Sequence, residues 1–399
     1  MANQLKVLLY APSVKGGIAE HTAYQGKALK KAGAKVICLV PPSFLAGRRT
    51  DLEQEVCLPS PFPEGLSGIV AKLSIAGRII YGSMILAAKI LKHRPDLVLL
   101  DSYVEYLSPL WVWPHWFLSK VWRISYAANL HDPVRSYIVG PRWWHRLSVR
   151  LAYLPLNFVL THDKLPEPSP VPSGIPVVEV PVGVYEIRTL PNSAVEIRAR
   201  WGVAENQRVF LSFGYVRDQK NLDLAIQALV AVPEAVLVVA GSVASSHDKS
   251  FSYYRDLASR LGVTSRCKLF EGFVADEDVG TYFAAADFVL LTYSSSFHSQ
   301  SGVLNIAARA RKPVLLSAAP SPALESVRNY SLGVSFPPDC LGYTIQAMER
   351  LITSPPTPRW DDYETFASWD QNARRILEAQ LIYSSKRKYC SSRGEESCN

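Results

Sequence analysis

The sequence predicts an α/β protein built from two successive, doubly wound parallel-sheet domains. Short continuous apolar runs alternate with helical patterns along almost the whole chain. The runs lack the in-and-out alternation of a half-exposed sheet, as expected for strands covered on both faces. After a proline-rich stretch, residues 164–176 (KLPEPSPVPSGIP), which reads as a loop, the same series starts again. A chain of 399 residues with 48% hydrophobic content is long enough for two buried cores.

LKVLLY, from Leu5 to Tyr10, reads as a buried strand, followed by a turn at Gly16-Gly17, a helix from about Ala19 to Ala32 and the strand AKVICLV. The N-terminus lacks the basic region, long apolar core and small-residue cleavage site of a signal peptide. Gly68 to His93 is strongly apolar, but Lys72, Arg78 and Lys89 interrupt it. That argues for a long amphipathic helix rather than a span of roughly 20 apolar residues, and no transmembrane segment is expected. DLVLL, WRISYAANL and NFVLTH are further strands.

Beyond the proline-rich loop come VVEVPVGV and a helix near Ala194 to Trp201. The strands RVFLSFG, AVLVVAGS, RCKLFEG, DFVLLTYS and KPVLLSA follow, with helices around Asn221 to Val230, Tyr253 to Leu261 and Ala275 to Ala285 between them. The second half is not a sequence repeat of the first. Trp360 to Ser384 reads as a terminal helix, and the polar residues 386–399 are expected to form a disordered tail.

A net charge of +8 and a pI near 9.1 suit an anionic partner: a nucleotide, an acidic membrane surface or nucleic acid. Charge alone does not choose among them. The six cysteines are scattered, without a C-x-x-C pair or a His-Cys cluster at metal spacing, so they read as reduced thiols of a cytosolic protein and no metal is expected.

Ligands of doubly wound sheets lie beyond the carboxyl ends of the strands, so residues just after strands carry most weight. Four clusters stand there. Gly16 and Gly17 can leave backbone amides free for a phosphate, or form a plain tight turn. In SFGYVRDQKN a strand ends at Gly214, and Arg217 and Lys220 follow three apart. Such a pair could clamp a diphosphate, with arginine as a fork and lysine as a point charge, or sit in a solvated charged loop. His131, after ISYAAN, can donate to a sugar hydroxyl with Asp132 orienting it, or bond a backbone carbonyl. His162-Asp163 repeats that pattern with less support and is not assigned to the site. Finally Ser301, Gly302 and Val303 open a helix whose free amides favour an anion, or merely carry a serine cap.

FLSFGYVRDQKNLDLAIQAL, EGFVADEDVGTYFAAADFVLLTYS and SGVLNIAARARKPVLLSA, in that order, resemble the C-terminal domain of family 4 glycosyltransferases, retaining enzymes of the GT-B fold. GGIAEHTAYQGKALKKAGAKV and NLHDP resemble the same family's N-terminal domain. The resemblance implies two Rossmann-like domains facing a cleft: residues 1–184 on the acceptor side, 185–365 on the nucleotide-sugar side, and a helix at 366–385 crossing back to the first. It implies metal-independent transfer with retention, without a cofactor, from a UDP- or GDP-sugar to a glycan or lipid-linked acceptor. Carried over by residue, Gly16 and Gly17 lie near the donor phosphates and Arg217 and Lys220 on the diphosphate. His131 lies beside the donor sugar, and Glu271, Gly272, Phe273 and Val274 meet the base.

One departure stands out. Aligned on Lys312-Pro313-Val314, the family's usual two glutamates fall on His298 and Ile306. His298 can still offer a donor or an acceptor to a hydroxyl. Ile306 cannot, so the ribose contact is lost or moves to a neighbour such as Asn305. Two other readings therefore stay open: a catalytically degenerate nucleotide-sugar-binding relative, and a nucleotide-sugar epimerase of the same architecture. Nucleic-acid binding is not expected, because the basic residues are spread out and no binding motif is present.

Leu107 to Arg123 and Pro141 to Arg150 combine tryptophans with cations. They suit peripheral contact with an anionic membrane on the inner face of the cell, or a buried helix with a basic acceptor-side loop.

Overall fold

A computed structural model describes the chain except for residues 1–3, 48–49, 61–67, 102–104, 132–137, 139, 163–164, 166–168, 188–192, 246, 299 and 394–399. Asp132, Asp163, Ser299 and parts of the proline-rich stretch thus lie outside the described residues. The chain divides into two compact units, Met1–Val182 with Ser368–Asn399, and Gly183–Ala367.

The first unit contains β1 (Lys6–Tyr10), α1 (Gly17–Lys31), β2 (Lys35–Val40), β3 (Glu53–Val56), α2 (Gly68–His93), β4 (Leu97–Leu100), α3 (Ser108–Lys120), β5 (Ser125–Leu130), α4 (Arg142–Ala152), β6 (Phe158–Thr161) and β7 (Val177–Glu179). Its seven strands lie in the order β3-β2-β1-β4-β5-β6-β7, all paired in parallel. The continuous apolar runs have a direct cause. Val7 and Leu9 enter the core on one face, with Val36, Cys38, Leu97 and Leu99. Leu8, Ile37, Leu39 and Val98 enter the core on the other.

The second unit contains α5 (Ser193–Trp201), β8 (Arg208–Phe213), α6 (Leu222–Ala231), β9 (Ala235–Gly241), α7 (Phe251–Arg260), β10 (Cys267–Glu271), α8 (Asp276–Ala285), β11 (Phe288–Thr292), α9 (Gly302–Arg309), β12 (Val314–Ser317), α10 (Pro322–Asn329), β13 (Gly333–Phe336), α11 (Leu341–Thr353) and α12 (Trp360–Phe366). Its six strands run β10-β9-β8-β11-β12-β13, again parallel. Val209, Val236, Val238 and Val289 fill one face, while Phe210, Leu237, Val239 and Leu290 fill the other.

The sequence expectation of one helix from Trp360 to Ser384 is corrected. α12 ends at Phe366, and α13 (Trp369–Arg393) begins after Ser368, whose Oγ accepts the Asp370 amide at 3.2 Å. α13 belongs to the first unit, where it packs on α1: Trp369 stacks on Tyr24, and Ala373 and Ile376 are fully buried. The disordered tail expected from residue 386 is likewise corrected, since α13 continues to Arg393. No proline or glycine breaks the helix before Gly394.

α3 and α4 are both helices, so the loop reading of Pro141 to Arg150 does not hold. Trp111 is buried, whereas Trp113, Trp116, Trp122 and Trp143 are exposed. α2 is long and apolar enough, by length and composition alone, to cross a membrane. Ser83, Leu86 and Ile90 of its second half are buried, while Ile69, Val70 and Leu73 of its first half are exposed. Cys38, Cys57, Cys267 and Cys340 are free thiols.

Candidate functional sites at the two switch points

Each sheet has one point where strand order reverses, between β1 and β4 in the first unit and between β8 and β11 in the second. Crevices beyond the strand ends at such points are where this architecture binds ligands.

In the first unit Gly16, at φ +85°, caps α1 after the loop that leaves β1 at Tyr10, and Gly17 is its first helical residue. A Cβ at either glycine would meet nothing within 4 Å, so open space lies in front of both. Beyond β4 lies Asp101, a residue the sequence reading did not single out. It is fully buried, and its carboxylate accepts from Asn129 Nδ2 at 2.8 Å, from His21 Nδ1 at 2.8 Å and from the Thr22 hydroxyl. Burial acts against its charge, yet the His21 and His131 rings beside it hold its carboxyl well below the usual range. Gln25, Asn129 and Asn372 continue the network, ending where Asn372 Nδ2 donates to the Pro181 carbonyl at 2.8 Å.

His131 follows β5, and its Nε2 lies 3.0 Å from the Asp101 backbone carbonyl and 3.4 Å from Asp101 Oδ1. Asp101 is thus in place to orient His131, the task the sequence reading gave to Asp132. His162, left out of the site on sequence grounds, lies against His131 at 3.0 Å between ring nitrogens. Burial first, then the neighbouring His131 and His21, hold His162 well below an ordinary histidine pKa. His21 is also lowered by burial, partly offset by Asp101. The signal for Asp101 was present, because it follows DLVLL as directly as His131 follows ISYAAN. His21 lies on a helix one turn past the glycines, where a strand-end rule does not look.

In the second unit Gly214, at φ +84°, turns the chain out of β8. Gly241 at the end of β9 admits it, since a Cβ there would stand 2.0 Å from the Gly214 carbonyl oxygen. Lys220 Nζ folds back to donate to the Phe213 carbonyl at 2.7 Å, and burial, then Arg217, lowers its pKa to about 8. Arg217 itself is exposed. The loop is pinned to the end of β11: Thr292 Oγ1 donates to the Lys220 carbonyl at 2.6 Å, and the Ser294 amide to the Gln219 carbonyl at 2.8 Å.

α9 begins beyond β11. Ser301 Oγ accepts the Leu304 amide at 3.2 Å and pairs with Tyr293 Oη at 2.7 Å, so its side chain serves as a cap. Gly302 is exposed and Val303 half-buried. A Cβ on Gly302 would touch only Tyr185, at 3.9 Å. His298 is exposed, with Nδ1 3.3 Å from the Pro320 carbonyl. Ile306 is a half-buried part of the core. The suggestion that Asn305 supplies the missing ribose contact is corrected: its side chain is fully buried, taking the Tyr363 hydroxyl on Oδ1 at 2.5 Å and donating to the Gly183 carbonyl at 3.4 Å. At the end of β10, Glu271 pairs with Arg255 at 3.2 Å. Gly272 follows, hydrogen-bonded to the Gly241 carbonyl, then the exposed Phe273 and the half-buried Val274.

A stretch of 211 residues, 51% of the chain, is 27% identical to the lipopolysaccharide glucosyltransferase WaaG of Escherichia coli. It spans about half the length of that relative, 52%. Among solved structures, the Anabaena protein HepE in complex with UDP and glucose matches with a TM-score of 0.63 at 19% identity, over 98% of this chain and 100% of that one. The catalytic domain of starch synthase IV from Arabidopsis thaliana, bound to ADP and acarbose, matches with a TM-score of 0.70 at 13% identity, over 96% and 100%. The fold is therefore that of GT-B glycosyltransferase structures, two Rossmann-like units in one chain. Residues 194–375, which include Gly214, Arg217, Lys220 and Ser301, match the family model described as glycosyl transferases group 1.

Proposed function

We propose that the protein is a retaining glycosyltransferase that moves a sugar from a nucleotide-sugar donor to a glycan or lipid-linked acceptor. The observation that carries this reading is the placement of Arg217 and Lys220 beyond β8 at the switch point of the group 1 domain. Arg217 forks onto the donor diphosphate, and Lys220, already aimed back at the strand end, adds a point charge. Together with the α9 amides they stabilise the charge that develops on the departing diphosphate, without a metal at that position. A phosphate oxygen of the donor takes the acceptor's proton, so no protein nucleophile is needed. His131, its ring oriented by Asp101, stands beside the donor sugar. UDP is the favoured nucleotide, since HepE is described in complex with UDP and with UDP-glucose.

The exposed apolar face of α2 and the tryptophans of α3 and α4, beside Lys120, Arg123 and Arg142, would bring a cytoplasmic enzyme to a lipid-linked acceptor.

His298 and Ile306 favour a second reading, a relative that binds the donor without transferring its sugar. Thermal shift with UDP, GDP and ADP, followed by transfer assays with the matching nucleotide-sugars, separates the two. Stabilisation by none of the three nucleotides overturns both readings; stabilisation without transfer to any acceptor favours the second.

A further inference from the structure

The three histidines beyond β5, β6 and the start of α1 share one feature. In each ring one nitrogen faces an oxygen that can only accept. His21 Nδ1 lies 2.8 Å from the Asp101 carboxylate, His131 Nε2 3.0 Å from the Asp101 carbonyl, and His162 Nδ1 3.3 Å from the Val180 carbonyl. Those three nitrogens carry the hydrogens, so in neutral rings the opposite ones, His21 Nε2, His131 Nδ1 and His162 Nε2, carry lone pairs. Two of these face each other at 3.0 Å, and the third is buried without a hydrogen-bond partner. Lone pairs at that separation repel unless a cation stands with them.

We propose that His21, His131 and His162 bind one divalent transition-metal ion of the zinc class. One ring nitrogen from each lies within 4.8 Å of one from each of the others. Metal–imidazole bonds of about 2.0–2.1 Å place two ligand nitrogens on one ion roughly 3–4 Å apart. The His131–His162 pair already meets that spacing, and a ring adjustment at His21 completes it. The surroundings match as well. A metal-binding histidine commonly donates its other ring N–H to a carboxylate or a backbone carbonyl, and all three do so here. Asp101 supplies a buried negative charge against the cation, and an all-imidazole set favours zinc, copper, nickel or cobalt over magnesium. His131 is partly open to solvent, which leaves a path for entry and room for a water ligand. The ion ties the start of α1 to the ends of β5 and β6 and fixes the ring of His131. The site does not depend on the proposed transfer reaction.

Untagged protein stripped with a chelator and titrated with Co2+ near neutral pH tests this. One equivalent should bind with the visible absorption of low-coordinate cobalt, be displaced by Zn2+, and raise the melting temperature where Mg2+ does not. His162→Ala should lose that stoichiometric binding. Asp101→Asn, which keeps all three ligands, should weaken it on the order of 10- to 100-fold. Folded wild-type protein that takes up no cobalt overturns the proposal and leaves a proton shared by His131 and His162 in the ion's place. Binding undiminished in His162→Ala overturns it too, as adventitious uptake elsewhere.

Discussion

Lys220 Nζ donates to the carbonyl oxygen of Phe213 at 2.7 Å, so a cation seven residues downstream is folded back onto the end of its own strand. Burial and Arg217 lower its pKa to about 8, from an ordinary value near 10.5. The lysine is charged below that pH and loses its proton above it. Because the folded value is the depressed one, the folded state pays for holding this proton at low pH, and that penalty fades as pH rises from about 8 towards 10.5. A bound diphosphate favours the charged form, so binding should take up a proton above pH 8. UDP affinity measured by calorimetry should therefore fall between pH 7.5 and 9.5, and Lys220→Met should bind more weakly with a flatter profile. A profile identical in both proteins would place Lys220 outside the binding site.

Arg217 faces solvent beside it, and no shift in fold is expected from its removal. Arg217→Ala should keep the wild-type melting temperature while transfer slows on the order of 10²-fold, as for other lost transition-state donors. Steady-state assays with the donor identified by thermal shift give the comparison. Unchanged turnover would remove Arg217 from the machinery.

Gly241→Ala probes the same switch point through the backbone. The new Cβ would stand 2.0 Å from the Gly214 oxygen, which is backbone and cannot swing aside. Either β9 or the turn out of β8 must shift, carrying Arg217 and Lys220 with it. Loss of both thermal stability and nucleotide-induced stabilisation is expected; Gly302→Ala, whose Cβ meets only Tyr185 at 3.9 Å, should keep its melting temperature. A Gly241→Ala protein as stable and as responsive to UDP as wild type would show that the strand ends tolerate the displacement.

How far the sequence led is visible at particular residues. The parallel strands were legible because both faces are covered, and helix starts such as that of α9 because a serine precedes them. β3 was not, since EQEV at the sheet edge is polar and short, and neither was β13, GVSF. The break between α12 and α13 left no proline or glycine to read. In the sites, strand-end reasoning located His131, Arg217 and Lys220 as single residues. Which residues meet is decided by strand order, and β4, β5 and β6 bring Asp101, His131 and His162 together from positions far apart in the chain.

Asn305 illustrates the reverse case, a polar residue near the expected ribose that the fold has already used. Its Oδ1 takes the Tyr363 hydroxyl and its Nδ2 reaches the Gly183 carbonyl, inside a core where both side chains are fully buried. Tyr363→Phe keeps the ring but removes the buried hydroxyl that donates to Asn305 Oδ1, which should cost about 1–3 kcal/mol in denaturant unfolding. Ile306→Val, one methylene smaller in the same core, should cost about 0.5–1.5 kcal/mol. Neither side chain faces a ligand in this reading, so once the loss of stability is allowed for, nucleotide affinity should match wild type in both variants. A Tyr363→Phe protein of unchanged stability but weakened nucleotide affinity would return Asn305 to the ribose and make its buried hydrogen bonds incidental to the fold.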